Sequence, residues 1–251
     1  MRVVRQRERG SMDTTAYIGL SRQIALQNRL DVIAGNIANV DTTAFKAEVL
    51  RFETVWEPAG PPGRLAFVQD VGRVRDLREG AFESTGNPLD FAISGPGYFT
   101  VGTPDGPAYT RAGQFKLSPE GELVTAAGRP LLDENGSPIT VPPGSGDITL
   151  AADGTLSAAG GPFARIQVVD FADPQALERL GDGLYRTDQA PRPVENARLE
   201  QGVREESNVE PVLEITRMME TVRAFEATQR MLDTHHELER RTVQGVLGQA
   251  A

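Results

Sequence analysis

NIANVDTTAFK, residues 36–46, closes a helical pattern and replaces it with small polar groups followed by a single Phe-Lys. Upstream, residues 14–40 contain no proline, and Leu26, Leu30, Ile33, Ile37 and Val40 recur at steps of 4, 3, 4 and 3. That is the heptad spacing by which one helix buries a stripe against another. Leu20 and Ile24 extend the stripe toward the N-terminus, and Asp13, Thr14 or Thr15 stands where a cap would start it. Ser21, Gln23, Gln27, Asn28, Asn36 and Asn39 dominate the other face. Neutral amides hydrogen-bond to protein without the desolvation cost of an ion, so the pattern predicts a helix touched on several sides.

The far end of the chain mirrors this one. Ile215, Met218, Val222, Phe225 and Leu232 run at steps of 3, 4, 3 and 7, with Gln229 the polar interruption. Asn208 is placed to cap this helix, Ser207 and Glu210 have capping-box spacing, and Pro211 sits in the first turn, where a missing N–H costs nothing. Between the helices the pattern changes. Residues 47–80 read as a connector broken by PAGPPG at 58–63. From about 81 to 200, short strands such as FAIS (91–94), YFTV (98–101), QFKLS (114–118), ELVT (122–125), ITL (148–150) and RIQVVDF (165–171) alternate with Gly/Pro/Asp turns. That spacing predicts hairpins, and the absence of amphipathic segments between strands argues against parallel βαβ units. The fold class is α+β: N- and C-terminal helices pairing as a coiled coil, with an inserted all-β domain.

Composition narrows the function. Net charge is −9 and the pI is near 4.9, which disfavours a nucleic-acid backbone or an anionic membrane as partner. No apolar run approaches bilayer length, so no direct membrane insertion is expected. Cysteine is absent, which removes disulfides, thiolate zinc sites and thiol catalysis. The first eleven residues carry four Arg and one Glu before a second Met at position 12, and they read as a basic extension, disordered or non-native. His235 and His236 are the only histidines; a zinc-protease pattern would need another at position 240, which is Arg240. GPGYFT and AAGGPF lack the Gly-Lys-Ser/Thr of a phosphate loop. No catalytic, cofactor-binding or metal-ligating residues are predicted, and no cofactor.

The stretch Ala38 to Lys46, with Asn39, Asp41, Thr42 and Phe45, resembles the signature of the bacterial flagellar axial proteins of the rod and hook, roughly Ala-Asn-x-x-Thr-x-Gly-Phe-Lys. Residues 95–142 are similar to the β domain of that family, and 205–232, beginning EESNVEP, to its closing helix. The resemblance implies a non-enzymatic rod subunit of the basal body, spanning the periplasm and transmitting torque. Its partners would be other rod proteins and copies of itself, and it would be delivered uncleaved by the flagellar type III export apparatus. The short chain and compact connector fit the proximal-rod branch, with the distal-rod branch as the alternative; a secreted adhesive or carbohydrate-binding module is the rival from another class. The implied segments are 1–11 extension, 12–46 helix and signature turn, 47–80 connector, 81–204 β domain and 205–251 closing helix. Ala44 stands where the family usually has Gly, so the backbone there is expected not to need the left-handed region. Asn39 and Asp41 would satisfy the helix end, and Phe45 would anchor the exit in apolar surface.

Overall fold

The computed structural model describes residues 2–58, 64–194 and 197–248, with side chains described within 18–51, 72–194, 197–238 and 240–241. Most of the PAGPPG break (59–63) lies outside the described residues. The architecture is α+β, two long helices at the chain ends with a β-rich middle. The chain divides into two compact units, Met1–Ala38, Glu48–Val74 and Glu210–Ala251 forming one, and Asn39–Ala47 and Arg75–Val209 the other.

In the helical unit, α1 spans Arg2–Ala38 and α2 spans Pro211–Gly248. The helix therefore runs on through residues 2–15, without a start at Asp13, Thr14 or Thr15, and the stretch set apart as an extension is continuous with it. Val40 lies beyond the last helical residue, so the α1 stripe ends at Ile37. Asn36 Nδ2 donates toward Glu214 Oε2 at 3.4 Å, and a Cβ added at Gly19 would meet the Leu232 side chain. Moving down α1 from Asn36 to Gly19 thus moves up α2 from Glu214 to Leu232, so the helices lie antiparallel. The presumed connector is instead a pair of strands, β1 (Glu48–Pro58) and β2 (Arg64–Arg75), hydrogen-bonded to each other. Asn36 also clasps β1: its Oδ1 accepts from Glu48 N at 2.8 Å and its Nδ2 donates to Glu48 O at 2.9 Å, as a neighbouring strand would.

In the β unit the central sheet has six strands, with Tyr98–Thr103 and Gly106–Thr110 as its inner hairpin. Alternation along these strands divides side chains between two faces. Phe99, Val101, Ala108, Val168 and Leu184 enter the larger core, while Tyr98, Tyr109, Val169 and Tyr185 enter a second cluster with Phe171 and Leu177. In the larger core Phe115 meets Phe91 at a tilt and Phe99 edge to face, at centroid distances of 5.7 and 5.4 Å. Gly113 is where the backbone closes on it: a Cβ there would fall 1.7 Å from Phe91 O. The strand Arg198–Gln201 returns to pair with Phe91–Ser94, and Val203–Glu205 with Phe82–Ser84, so the end of the β segment closes on its beginning.

Candidate functional site

The two signature stretches, 39–47 and 205–208, meet inside the β unit. Ala44 N donates to Glu205 O (2.8 Å), and Asn208 N donates to Phe45 O (3.2 Å). Asn208 Oδ1 accepts from Ala47 N at 2.7 Å, while its Nδ2 donates to Asp76 O and Arg78 O, both at 2.9 Å. Asn208 is therefore a clamp on the exit turn and not the cap of α2. That helix begins at Pro211 with Glu210 O accepting from Glu214 N, and Ser207 Oγ is engaged by Val209 N.

Lys46 closes the motif from within. It is 4% exposed, with Nζ 2.5 Å from Glu205 Oε1 and 2.7 Å from Arg78 O. Glu205, 2% exposed, also accepts from Gly80 N at 3.1 Å and, through Oε2, from Arg111 Nε at 2.8 Å. Arg111 spends its remaining donors on Gly95 O, Gly97 O, Ile93 O and Glu79. Burial works against the Glu205 carboxylate, but Arg111 and Lys46 together hold its pKa below the ordinary value. Burial pushes the Lys46 ammonium down, with Glu205 opposing and Arg111 assisting. Both directions fit one anion shared by two cations. Sequence reasoning placed Lys46 in the motif but missed Glu205 and Arg111; the only cue was an acidic EE preceding SNV.

Phe45 is buried as expected, with the Arg179 guanidinium 4.4 Å from its ring centroid. The turn itself is closed by Thr42 N to Asn39 O and Phe45 N to Thr42 O, both 3.1 Å, with Thr42 Oγ1 donating to Asn39 Oδ1; Asp41 is exposed. Ala44 corrects the expectation made for it. Its φ is 54°, so the backbone does need the left-handed region, and a Cβ is carried there against an intrinsic cost of about 1–2 kcal/mol. Ala44→Gly should therefore raise stability by about 0.5–1 kcal/mol, the relief of strain exceeding the added freedom of the unfolded chain. Urea titration of the two proteins checks this; a loss of stability would mean that burial of the methyl outweighs the strain.

In the helical unit, α1 presents the predicted stripe: Ile33 is buried, and Leu26, Leu30 and Ile37 are half-buried. On α2 the prediction holds for one column only. Met218, Phe225 and Leu232 are half-buried, but the column between them is Glu214, Thr221 and Thr228, all buried, and not Ile215 and Val222. The polar column is satisfied locally. Thr221 Oγ1 and Thr228 Oγ1 donate to the carbonyls of Arg217 and Ala224 one turn back, and Glu214 takes Arg217 at 2.5 Å as well as Asn36. Ile215 and Val222 stand outside at 49% and 39% exposure, beside Val212 and Met219. Among the described residues no group of three or more His, Asp or Glu is arranged to hold a metal ion.

Family models match the chain in three places: Flagella basal body rod protein at residues 17–46, Flagellar hook protein FlgE/F/G D1 domain at 92–158, and Flagellar basal body rod FlgEFG protein C-terminal at 200–245. The flagellar basal-body rod protein FlgF of Caulobacter vibrioides is 43% identical over 241 residues, covering 93% of this chain and 98% of the relative. FlgF of Mesorhizobium japonicum is 37% identical over 220 residues, covering 86% and 91%. The flagellar basal-body rod protein FlgG of Bacillus subtilis is 33% identical over 254 residues, covering 88% and 95%. The three matched stretches take in both signature motifs, part of the β core and most of α2, and the chain belongs to the flagellar basal-body rod protein family, among its FlgF-like members.

Proposed function

We propose that this chain is a structural, non-enzymatic subunit of the flagellar rod, with α1 and α2 forming an antiparallel coiled coil that polymerises with other rod subunits and copies of itself into a torque-bearing shaft. The observation that carries this reading is the inverted use of α2. Its inward column is polar and satisfied, while Val212, Ile215, Met219 and Val222, again at heptad steps, remain 39–78% exposed. A monomer gains nothing from leaving apolar residues outside; a subunit of a polymer does. The FlgF-like sequence favours the proximal rod over the distal. Delivery by the type III export apparatus suits a helix such as α1, which contains Gly19, Gly35, Asn28 and Asn36, since such a segment is marginal alone and orders on assembly. The adhesive reading needs an exposed aromatic platform, whereas Tyr98, Tyr109 and Tyr185 are buried. The test is fractionation. A tagged chain should co-purify with detergent-extracted basal bodies and vanish from them when the rod is absent; a chain recovered only in the medium or bound to sugar resin would defeat the reading.

A further inference from the structure

We propose that the helix pair has two unlike faces, one acidic and apolar, the other basic, and that a second copy of this chain docks its basic face onto the acidic one. The proposal rests on the rod reading for the existence of a polymer and adds the surface by which copies meet.

Successive helical residues turn by about 100°. In an antiparallel pair, the residues one position after each inward position therefore point to the same side on both helices, and those one position before point to the opposite side. The inward positions include Gly19, Leu26, Leu30 and Ile33 of α1 and Glu214, Met218, Thr221, Phe225, Thr228 and Leu232 of α2. On the following side stand Leu20, Ile215, Met219 and Val222, at 53, 49, 51 and 39% exposure, with Ile24 in line at 55%. Between Leu20 and Ala38 on α1 and between Ile215 and Asp233 on α2 the charges on that side are Asp31, Glu226 and Asp233, all exposed, with no Lys or Arg among the following positions of those two spans. On the preceding side stand exposed Arg22 and Arg29, with Arg217 already paired to Glu214, against the single acid Glu220, and Ile18, Leu213 and Met231 exposed at 40, 40 and 48% between them; toward the end of α1 this side is closed, Val32 and Asn36 being buried and Asn36 bonded to Glu48 of β1. Opposite charge with apolar residues on both sides is what a contact between unlike faces requires, and like faces would set acid against acid. A contact between unlike faces is heterologous, so it does not close at a dimer but repeats from copy to copy.

The absence of cysteine makes the test clean. Met219→Cys on the acidic face is labelled with a cysteine-directed photocrosslinker, and isolated basal bodies are irradiated. The expected product is a dimer of the chain whose cross-link maps to Ile18, Arg22 or Arg29, or to Leu213 or Met231, of the second copy. Dimers mapping to Leu20, Ile24 or Val222, or adducts to another rod protein alone, overturn the proposal while leaving the rod reading intact. A second measurement uses charge. Reversing Arg22 and Arg29 to Glu should cut incorporation by about tenfold or more, and reversing Asp31 and Glu226 to Arg in the same chain should restore it; no loss, or no rescue, overturns the pairing. If the unmodified chain is missing from basal bodies, the rod reading falls, and the face assignment is decided by the same mapping on the concentrated purified chain, where cross-links to the acidic face or none overturn it.

Discussion

Replacing Glu205 by Ala is expected to destabilise the β unit by about 3–5 kcal/mol, the range for removing one partner of a buried ion pair. The carboxylate is 2% exposed and accepts from Lys46, Arg111 and Gly80 at once, so its loss leaves buried Lys46 without its anion and buried Arg111 with only the half-exposed Glu79. It also removes the side-chain tie between the signature turn and Val203–Glu205, leaving only the main-chain bond from Ala44 N to Glu205 O. Glu205→Gln keeps the shape and one acceptor and should cost less than the Ala variant but more than a surface change. The surface comparison is Glu83→Ala, which breaks the half-exposed Arg204 pair and should cost at most about 1 kcal/mol. Urea unfolding of the three variants, followed by near-ultraviolet dichroism, orders them; equal midpoints for Glu205→Ala and Glu83→Ala would show that the cluster holds nothing together. Acid should reproduce the lesion in the unmodified protein. The folded pKa of Glu205 lies below the ordinary 4.5, so its contribution is fully present above that value and is lost as pH falls through the folded one. Lys46 has the opposite sign: its pKa is lowered from 10.5, so its burial weighs against folding at neutral pH and that penalty lifts as pH rises toward 10.5.

What the sequence disclosed and what it hid follow from the range of the interactions. The α1 stripe was legible because a heptad is a local pattern, and Leu26, Leu30 and Ile33 are inward where the pattern puts them. The same rule failed on half of α2. It prefers Ile215 and Val222 to their neighbours Glu214 and Thr221, yet Thr can be buried by bonding its own helix, and Glu214 by bonding Asn36 on a helix 178 residues away in sequence. The hairpin at 48–75 did carry a strand signal, since Leu50, Phe52 and Trp56 alternate with Arg51, Glu53 and Glu57, but the Pro/Gly break dominated the reading. Lys46 with Glu205, separated by 159 positions, has no periodicity to betray it. At Ala44 residue type does not report conformation, because hydrogen bonds on both sides of it, from its own N to Glu205 O and from Phe45 N to Thr42 O, hold φ at 54°.

Ile33→Glu should abolish swimming while leaving export of the chain intact. Ile33 is 4% exposed on the inward side of α1, in the unit that α1 forms with α2. A carboxylate there must either ionise without a partner or hold a proton at neutral pH, and either course costs several kcal/mol per subunit. With Gly19, Gly35, Asn28 and Asn36, α1 has little intrinsic stability with which to absorb that cost, so the pair should open before the β unit is disturbed. On the proposed export route the chain passes unfolded and the change should not register, whereas a polymer multiplies the defect over its subunits. Leu117→Glu, on a strand position 49% exposed, introduces the same charge without burying it and should leave swimming near normal. The measurements are swimming rate, amount of chain exported and amount retained in basal bodies. Normal swimming by Ile33→Glu at normal protein levels would show that rod assembly does not depend on the inner face of α1. A matching defect in Leu117→Glu would shift the requirement to charge itself. Loss confined to the buried position places it in the contact between the helices.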